Sequence, residues 1–211
     1  MTHTMAPVVV FRAATAADAD AVVPLVYSSG PAAFDYVFGQ GQQRRAEAFL
    51  YYAFAHESGE FSYRTHHVAL RGSAVVAAGA IFDGRQTVSF TLAAARQIVG
   101  FYGLPGALGV ITRGLRTESV IRPPRAREQY LCHLGVAPEL RGAGIGSELI
   151  RHLLAQSRTS LHDYVALDVS VNNPRAHALY KKLGFEAIAL RRSTLSNASG
   201  AVADHWRMTL R

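Results

Sequence analysis

The sequence has a single cysteine, Cys132, among its 211 residues, so the chain cannot form an intramolecular disulfide framework. It has only two lysines, and arginine supplies nearly all of its 22 basic side chains. No stretch approaches 18 uninterrupted apolar residues, and the N-terminus "MTHTMAPVVVFR" lacks the basic-then-apolar pattern of a signal peptide. We therefore expect a cytoplasmic protein without a membrane partner.

The basic residues are also not concentrated in one place. The net charge is +7, yet the arginines are scattered except for "RPPRAR" at 122–127. Because nucleic-acid binding needs basic residues clustered on one face, we expect no nucleic-acid partner, and the pattern weakly favours an anionic ligand. A length of 211 residues with 49% hydrophobic content indicates a single domain over 1–211.

Local patterns predict alternating strands and helices. The sequence "TAAD" (15–18) reads as a capping box that opens a helix to about Tyr27, and 29–41 reads as a loop. The pattern predicts strands at 8–12, 66–70, 75–82, 129–136, 164–171, 185–191 and 204–210. It predicts further helices at 42–57, 87–102, 105–118, 145–158 and 174–183. The expected fold is α/β, with a parallel strand pair inside a mixed sheet. Residues 84–127 read as an insertion between core segments 8–83 and 128–211.

The stretch "VAPELRGAGIGSELI" (136–150) places three glycines directly before an amphipathic helix. Glycine costs a helix interior roughly 1 kcal/mol against alanine, so the backbone there must need to be bare. Free N–H groups at a helix start, with no Cβ in the way, form a cradle for a phosphate or pyrophosphate. A nucleotide P-loop is excluded because no lysine follows Gly146, and the GxGxG spacing fits a dinucleotide site poorly. The remaining pattern, R-x-x-G-x-G, is satisfied by Arg141, Gly144 and Gly146.

With this pattern the sequence resembles the GCN5-related N-acetyltransferase (GNAT) superfamily, whose pyrophosphate loop has this form. A second stretch, "VNNPRAHALYKKLGF" (171–185), resembles the other hallmark of that superfamily, N-x-x-A-x-x-L-Y-x-x-x-G-F. The local chemistry agrees, because Asn173 suits an N-cap, Pro174 a first helical position and Gly184 a left-handed C-terminal position. The resemblance implies acetyl-coenzyme A (acetyl-CoA) as acyl donor and a mixed sheet whose parallel strands, 131–136 and 165–169, splay apart between flanking helices.

The resemblance also implies roles for individual residues. The pantetheine arm would bond to backbone at Leu134, Gly135 and Val136, and Asn173 would face it. Tyr180 would be the acid that donates toward the departing thiolate during direct attack by an amine, or else a core residue. The pyrophosphate would sit on the loop residues Arg141, Gly142, Ala143, Gly144, Ile145, Gly146 and Ser147.

A general base is harder to identify from the sequence. Glu128 precedes the thioester-bearing strand, and His133 lies within it with an imidazole, whose ordinary pKa is near 6.5. Strand alternation predicts His133 on the face opposite Cys132 and Leu134. The alternatives are a solvated charge for Glu128, a core histidine for His133, and a water chain as the base.

The remaining motifs give open alternatives. Cys132 reads as a small buried hydrophobe. His66 and His67 would face opposite ways on a strand, so we expect no metal site. Phe34, Tyr36 and Phe38 lie in the predicted loop 29–41, where they would form either an aromatic wall of the acceptor pocket or a satellite hydrophobic cluster.

The expected function is acetyl transfer from acetyl-CoA to a primary amine of a small molecule. The alternatives are a CoA-binding regulatory or interaction module and a protein or peptide N-acetyltransferase. The insertion at 84–127 could be a lid, a homodimer face or ordinary packing.

Overall fold

A seven-stranded mixed sheet organises the chain, and a computed structural model describes residues 8–42, 44–157 and 163–211 of it. In chain order the strands are β1 Val9–Ala13, β2 His66–Arg71, β3 Ala74–Asp83, β4 Glu128–Val136, β5 Tyr164–Ser170, β6 Glu186–Arg191, β7 Ser196–Asn197, β8 Gly200–Ala201 and β9 His205–Leu210. The helices are α1 Ala19–Ser28, α2 Pro31–Phe38, α3 Arg45–Phe54, α4 Thr87–Thr117, α5 Ile145–Gln156 and α6 Pro174–Lys182.

The order across the sheet is β1-β2-β3-β4-β5-β9-β6, and β7 and β8 form a separate short hairpin. Among the strands of the described residues, β4 and β5 pair in parallel, and the other neighbours in the sheet are antiparallel. This confirms the predicted mixed sheet with one parallel pair. The crossover between β4 and β5 contains α5, as expected for parallel neighbours.

Helices cover both faces of the sheet. Ala77 on β3 packs in one cluster with α5 and α6, whereas its neighbour Ala78 packs in another with α1 and α3. Because adjacent strand residues point to opposite faces, the two clusters are the two sides of the sheet. A third cluster joins α2, α3 and α4, and it shares α3 with the cluster that contains Ala78. The entry to α1 has the predicted capping box between Thr15 and Asp18, and Arg12 forms an ion pair with Asp18 at 2.7 Å.

Helix α4 confirms the two predicted helices of 84–127, which meet at Gly103 with φ 67° and ψ 166°. Its inner side is attached to the domain, since Gln97 donates to the Ser58 carbonyl at 2.8 Å and Arg113 to the Val37 carbonyl at 2.9 Å. The outer side exposes large apolar residues, namely Val88, Leu92, Val99, Leu104, Leu108 and Leu115. Together with the short 3₁₀ turn Gly84–Gln86 before it, α4 forms a helical segment Gly84–Thr117 that could cross a bilayer by length and composition alone. Its most apolar 18 residues are 17% buried.

Two local predictions fail. The segment 29–41 is not all loop, because Pro31–Phe38 forms α2 with Pro31 at its first turn. The hairpin of β7 and β8 is absent from the prediction. Helix α5 ends at Gln156, and residue 158, where its predicted end falls, is outside the described part of the chain.

Candidate active site

A cleft opens in the sheet between β4 and β5. The two strands pair only at Glu128 with Tyr164, Gln129 with Val165 and Tyr130 with Ala166. Both strands continue beyond the last pair, to Val136 and to Ser170. The predicted splay is therefore confirmed, and it leaves the facing backbone groups of the two strands free to bind something else.

The glycine loop lies at the start of α5. Gly142 and Gly144 have φ of 91° and 88°, and a Cβ on either would meet no heavy atom within 4 Å. Glycine suits both positions because their positive φ strains other residues and because a side chain would fill the open space above the loop. Gly146 differs, because a Cβ there would lie 3.4 Å from Val136.

The backbone donors at the start of α5 are available, whereas the N–H groups of Arg141 and Ala143 donate to the Pro138 and Leu140 carbonyls, both at 3.3 Å. The first bond of the α5 ladder runs from the Glu148 N–H to the Gly144 carbonyl at 3.1 Å. The N–H groups of Ile145, Gly146 and Ser147 thus have no acceptor within the helix, and the helix dipole adds partial positive charge. Arg141 is exposed and donates from Nε to the Val136 carbonyl at 3.0 Å, which holds its guanidinium beside the loop. The geometry fits an anion.

The predicted pantetheine-binding strand forms one wall of the cleft. Leu134 and Val136 pack toward α5, and Gly135 pairs with Ala78 on the β3 side. A Cβ on Gly135 would lie 2.2 Å from the Leu25 carbonyl oxygen. Gly135 is therefore required by the close approach of α1 to β4.

Helix α6 supplies Asn173 and Tyr180. Asn173 caps the helix, since its Oδ1 accepts from the Ala176 N–H at 3.1 Å. Tyr180 is buried and packs edge-on against Phe185. Among the described residues no group is hydrogen-bonded to its hydroxyl. Burial, and then the neighbouring Cys132 thiol, raises the pKa of Tyr180 well above the ordinary tyrosine value, so the hydroxyl keeps its proton.

A bulge in β4 determines where His133 points. Cys132 pairs with Ala80 and Gly135 with Ala78, so two residues stand opposite Gly79. His133 has φ 56°, in the left-handed region. The prediction that His133 and Cys132 lie on opposite faces is wrong, because the bulge interrupts the alternation and brings both side chains beside Glu60.

The His133 ring belongs to a chain of polar contacts that runs from Ser62 through His66 and His133 to Glu60. His66 Nδ1 lies 2.8 Å from the Ser62 carbonyl oxygen, and its Nε2 lies 3.2 Å from His133 Nδ1. His133 Nε2 is 3.4 Å from Glu60 Oε1. Burial, and then the neighbouring His133, lowers the pKa of His66 to about 3, so His66 is neutral with one ring proton.

The position of that proton orients His133. A carbonyl oxygen only accepts, so His66 carries its proton on Nδ1 and accepts at Nε2. His133 must then donate from Nδ1. A neutral His133 consequently presents the lone pair of its Nε2 toward Glu60.

Comparison with known proteins agrees with this geometry. The model of the Acetyltransferase (GNAT) family matches residues 40–185. The chain belongs to this family. The fold resembles that of a solved N-acetyltransferase from Staphylococcus aureus Mu50, with a TM-score of 0.65 and 16% identity over 95% of this chain and all of that one.

Two curated relatives match over shorter segments. A 5-NmdU N-acetyltransferase of Pseudomonas phage PaMx11 is 43% identical over 61 residues, which is 29% of this chain and 41% of the relative. The N-alpha-acetyltransferase RimI of Mycobacterium tuberculosis is 42% identical over 65 residues, 30% of this chain and 39% of the relative. The match thus spans less than half the length of either protein. Acetyl-CoA is the acyl donor of GNAT acetyltransferases.

Glu128, the other candidate base in this GNAT chain, is engaged elsewhere. Its carboxylate accepts from the Tyr164 hydroxyl and from Arg207, both at 2.6 Å, and Arg207 also holds Asp168 at 2.7 Å. Burial alone would raise the pKa of Glu128, but the Tyr164 hydrogen bond and Arg207 lower it. Glu128 thus joins β4 to β5 and β9 below the cleft.

The three aromatic residues of 34–38 diverge because they lie on α2. Tyr36 and Phe38 are buried, and the Phe38 ring stacks on Phe49 with centroids 4.4 Å apart. Only Phe34 approaches His133, at 6.1 Å between ring centroids. Spacing of every second residue spreads side chains around a helix, so no continuous wall forms.

Two residues of the site that precede β2, Glu60 and Phe61, are not among those predicted from the sequence, and neither is His66. Phe61 stacks on His133 with centroids 5.0 Å apart. No local sequence signal identifies Glu60, because it reaches the site through the tertiary fold. The adjacent histidines at 66 and 67 were a usable signal for His66.

Proposed function

We propose that this GNAT protein transfers the acetyl group of acetyl-CoA to the primary amine of a small cationic molecule. This proposal rests on how the side chains and backbone groups are arranged around the β4–β5 cleft. The glycine loop follows β4, which forms one wall of the cleft. On the same strand, Cys132 is surrounded by Tyr180, His133 and Glu60.

The donor side fits a coenzyme A thioester, which supplies the acetyl group. The N–H groups of Ile145 to Ser147 and the Arg141 guanidinium would hold its pyrophosphate, because open glycine backbone leaves room for an anion there. The free edge of β4 from Leu134 to Val136 would pair with the amide groups of its arm. These donors and acceptors are preorganised, so binding them costs little reorganisation.

On the acceptor side, His133 acts as the base in this proposal. Its Nε2 takes a proton from the acceptor ammonium, while His66 holds its Nδ1 proton in place. Glu60, 3.4 Å from Nε2, attracts the ammonium and then stabilises the imidazolium. Glu118 adds a second carboxylate near Glu60; burial, and then Glu60, raises its pKa. Two neighbouring carboxylates favour a cation.

Tyr180 completes the proposed site as hydrogen-bond donor to the leaving sulfur. Because its pKa is raised, complete loss of its proton is unfavourable, and it stabilises growing negative charge while staying neutral. A proton released from the new amide nitrogen then reaches the thiolate through Tyr180.

The enclosure of His133 supports a small acceptor. Its side chain is 8% exposed and lies against Phe34 and Phe61. A peptide needs an open groove, whereas a small amine fits a narrow opening. The name of the RimI relative supports the alternative of a peptide N-terminus.

The test is a thiol-release assay with acetyl-CoA and a panel of diamines, polyamines, amino acids, aminoglycosides and peptides with free N-termini. We expect turnover with a di- or polycationic amine, and none with its N-acetylated form. Faster turnover of peptides would replace the small-molecule acceptor with a protein one. Calorimetric binding of acetyl-CoA without turnover of any amine would favour a CoA-binding regulatory module. A cytoplasmic location stays a prediction.

A further inference from the structure

Three side chains of different chemistry converge beside the cleft. A carboxylate oxygen of Glu60, the Cys132 sulfur and a ring nitrogen of His133 all lie within 4.8 Å of one another. Thiolate, imidazole and carboxylate are the ligand types that zinc takes in proteins.

The distances suit a tetrahedral ion. Zn–N and Zn–O bonds of about 2.0–2.1 Å at the tetrahedral angle place the two ligand atoms roughly 3.4 Å apart. His133 Nε2 and Glu60 Oε1 are 3.4 Å apart without any ion. The Cys132 sulfur already lies within 4.8 Å of a ring nitrogen of His133 and of a carboxylate oxygen of Glu60, so binding needs only a side-chain adjustment.

The surroundings resemble those of a metal-binding histidine. The other ring nitrogen of His133 is held by His66, which is itself held by the Ser62 carbonyl. Such an outer partner fixes the ring and leaves one nitrogen free for the ion. Three protein ligands leave a fourth position open, as in zinc sites that exchange a ligand.

We propose that Glu60, Cys132 and His133 form a reversible Zn²⁺ site that inhibits acetyl transfer. The ion occupies the Nε2 lone pair and the Glu60 carboxylate that the acceptor ammonium would use. The Cys132 thiol releases its proton to solvent when it binds. The binding claim stands on the geometry alone, whereas the inhibition claim rests on the proposed function.

Binding is tested first, without turnover. Zn²⁺ is titrated by calorimetry, and Co²⁺ by absorption, into the wild type and into Cys132→Ser and Cys132→Ala. We expect one ion per chain, a sulfur-to-cobalt charge-transfer band in the wild type, and affinity reduced at least about 100-fold in both variants, because losing even an outer partner costs 10–100-fold. Thermal melting checks that both variants are folded.

His152→Gln is the matched control. His67 Nδ1 and His152 Nε2 lie 3.1 Å apart on the other face of the sheet, and they are a second pair that could attract zinc. We expect His152→Gln to keep the stoichiometry and the charge-transfer band. Equal zinc affinity in the wild type and both Cys132 variants, or loss of the band in His152→Gln, would overturn the site.

Inhibition is tested second, with product measured by mass spectrometry in zinc-buffered solution. We expect inhibition to be competitive with the amine, and Cys132→Ser to lose it, so that its rate with zinc equals its own rate without zinc. Zinc that binds with the Cys132 signature but leaves transfer unchanged would overturn the inhibitory role alone. Failure of every amine to react would contradict the proposed function, while the binding result would still decide the site.

Discussion

At the residue scale, the left-handed backbone of His133 decides which side chains meet. A non-glycine residue in this region costs on the order of 1–3 kcal/mol and persists only where its surroundings hold it. Here Phe61 stacks on the ring and His66 accepts a hydrogen bond from its Nδ1. The strained backbone turns Nε2 of His133 toward Glu60, whereas a regular strand would have sent the ring to the opposite face.

Tyr180→Phe tests the donor to sulfur. The rate of acetyl transfer should fall by ~10²–10⁴, the usual contribution of a positioned acid, while acetyl-CoA affinity and melting temperature change little. Because the pKa of Tyr180 is raised by burial, the wild-type rate should not decline from phenolate formation up to about pH 10, the ordinary tyrosine pKa. If the steady-state rates of the variant are within a few-fold of the wild type, Tyr180 is a core residue without a role in proton donation.

His66→Leu and His66→Gln together test the orientation of His133. Leucine removes the acceptor for the Nδ1 proton, so kcat should fall by about 10–100-fold, the usual loss when an outer partner of a functional histidine is removed. Glutamine places an amide oxygen where Nε2 was and should restore most of kcat. KM for acetyl-CoA, which His66 does not reach, should stay constant in both. Equal losses in both variants would mean that His66 only fills space.

The residues of the candidate site differ in how well the sequence alone could identify them. Asn173 and Tyr180 could be placed because their motif fixes both their spacing and the helix that carries them. Glu60 could not, since its role arises where a loop meets the bulge of a distant strand. A bulge changes the direction of a side chain without altering the apolar pattern that predicts the strand.

At the scale of elements, the loop before α5 is where sequence and geometry agree most directly. Gly144→Val forces a branched residue into φ 88° and fills the space over the helix start. We expect acetyl-CoA binding to be lost while the fold is kept, as measured by calorimetry and circular dichroism. Arg141→Ala should cost only ~1.5–3 kcal/mol, one hydrogen bond to a charged group. Unchanged affinity in Gly144→Val would refute the cradle.

The length of an element determined whether the sequence could predict it. Long amphipathic segments such as α5 were recovered because their period is visible over three turns. Helix α2 has eight residues between Gly30 and Gly39, too few for its period to outweigh the flanking glycines. The hairpin of β7 and β8 has two residues in each strand and carries no alternation that a sequence could show.

At the scale of the whole molecule, α4 packs its inner side on the domain and exposes an apolar outer face. Its inner residues, including Ile98 and Val110, belong to the same cluster as Phe49, so deleting 84–127 would uncover that cluster. The segment is thus more than a removable insertion. Its function is better tested on its exposed side.

Leu104→Gln combined with Leu108→Gln tests whether this face joins two copies. Both side chains are more than 70% exposed, at 75% and 72%, so the fold should be unaffected. We expect the wild type to sediment as a homodimer and the double variant as a monomer, since polar groups at an apolar interface are desolvated without partners. Ile188→Gln on β6, 59% exposed, is the control and should remain dimeric. A monomeric wild type would leave the face without this role.

The parting of β4 and β5 after Tyr130 and Ala166 also bears on how much of this protein a cell keeps. Two strand edges face each other inside the sheet, and unpaired edges invite pairing with other chains. A donor bound in the cleft covers them, and at 100 times its Kd it adds about 2.7 kcal/mol to stability. We expect the ligand-free protein to aggregate and to be proteolysed faster than the loaded one. Its abundance should then fall when a cell runs short of coenzyme A, so that the supply of donor regulates the amount of enzyme as well as its rate.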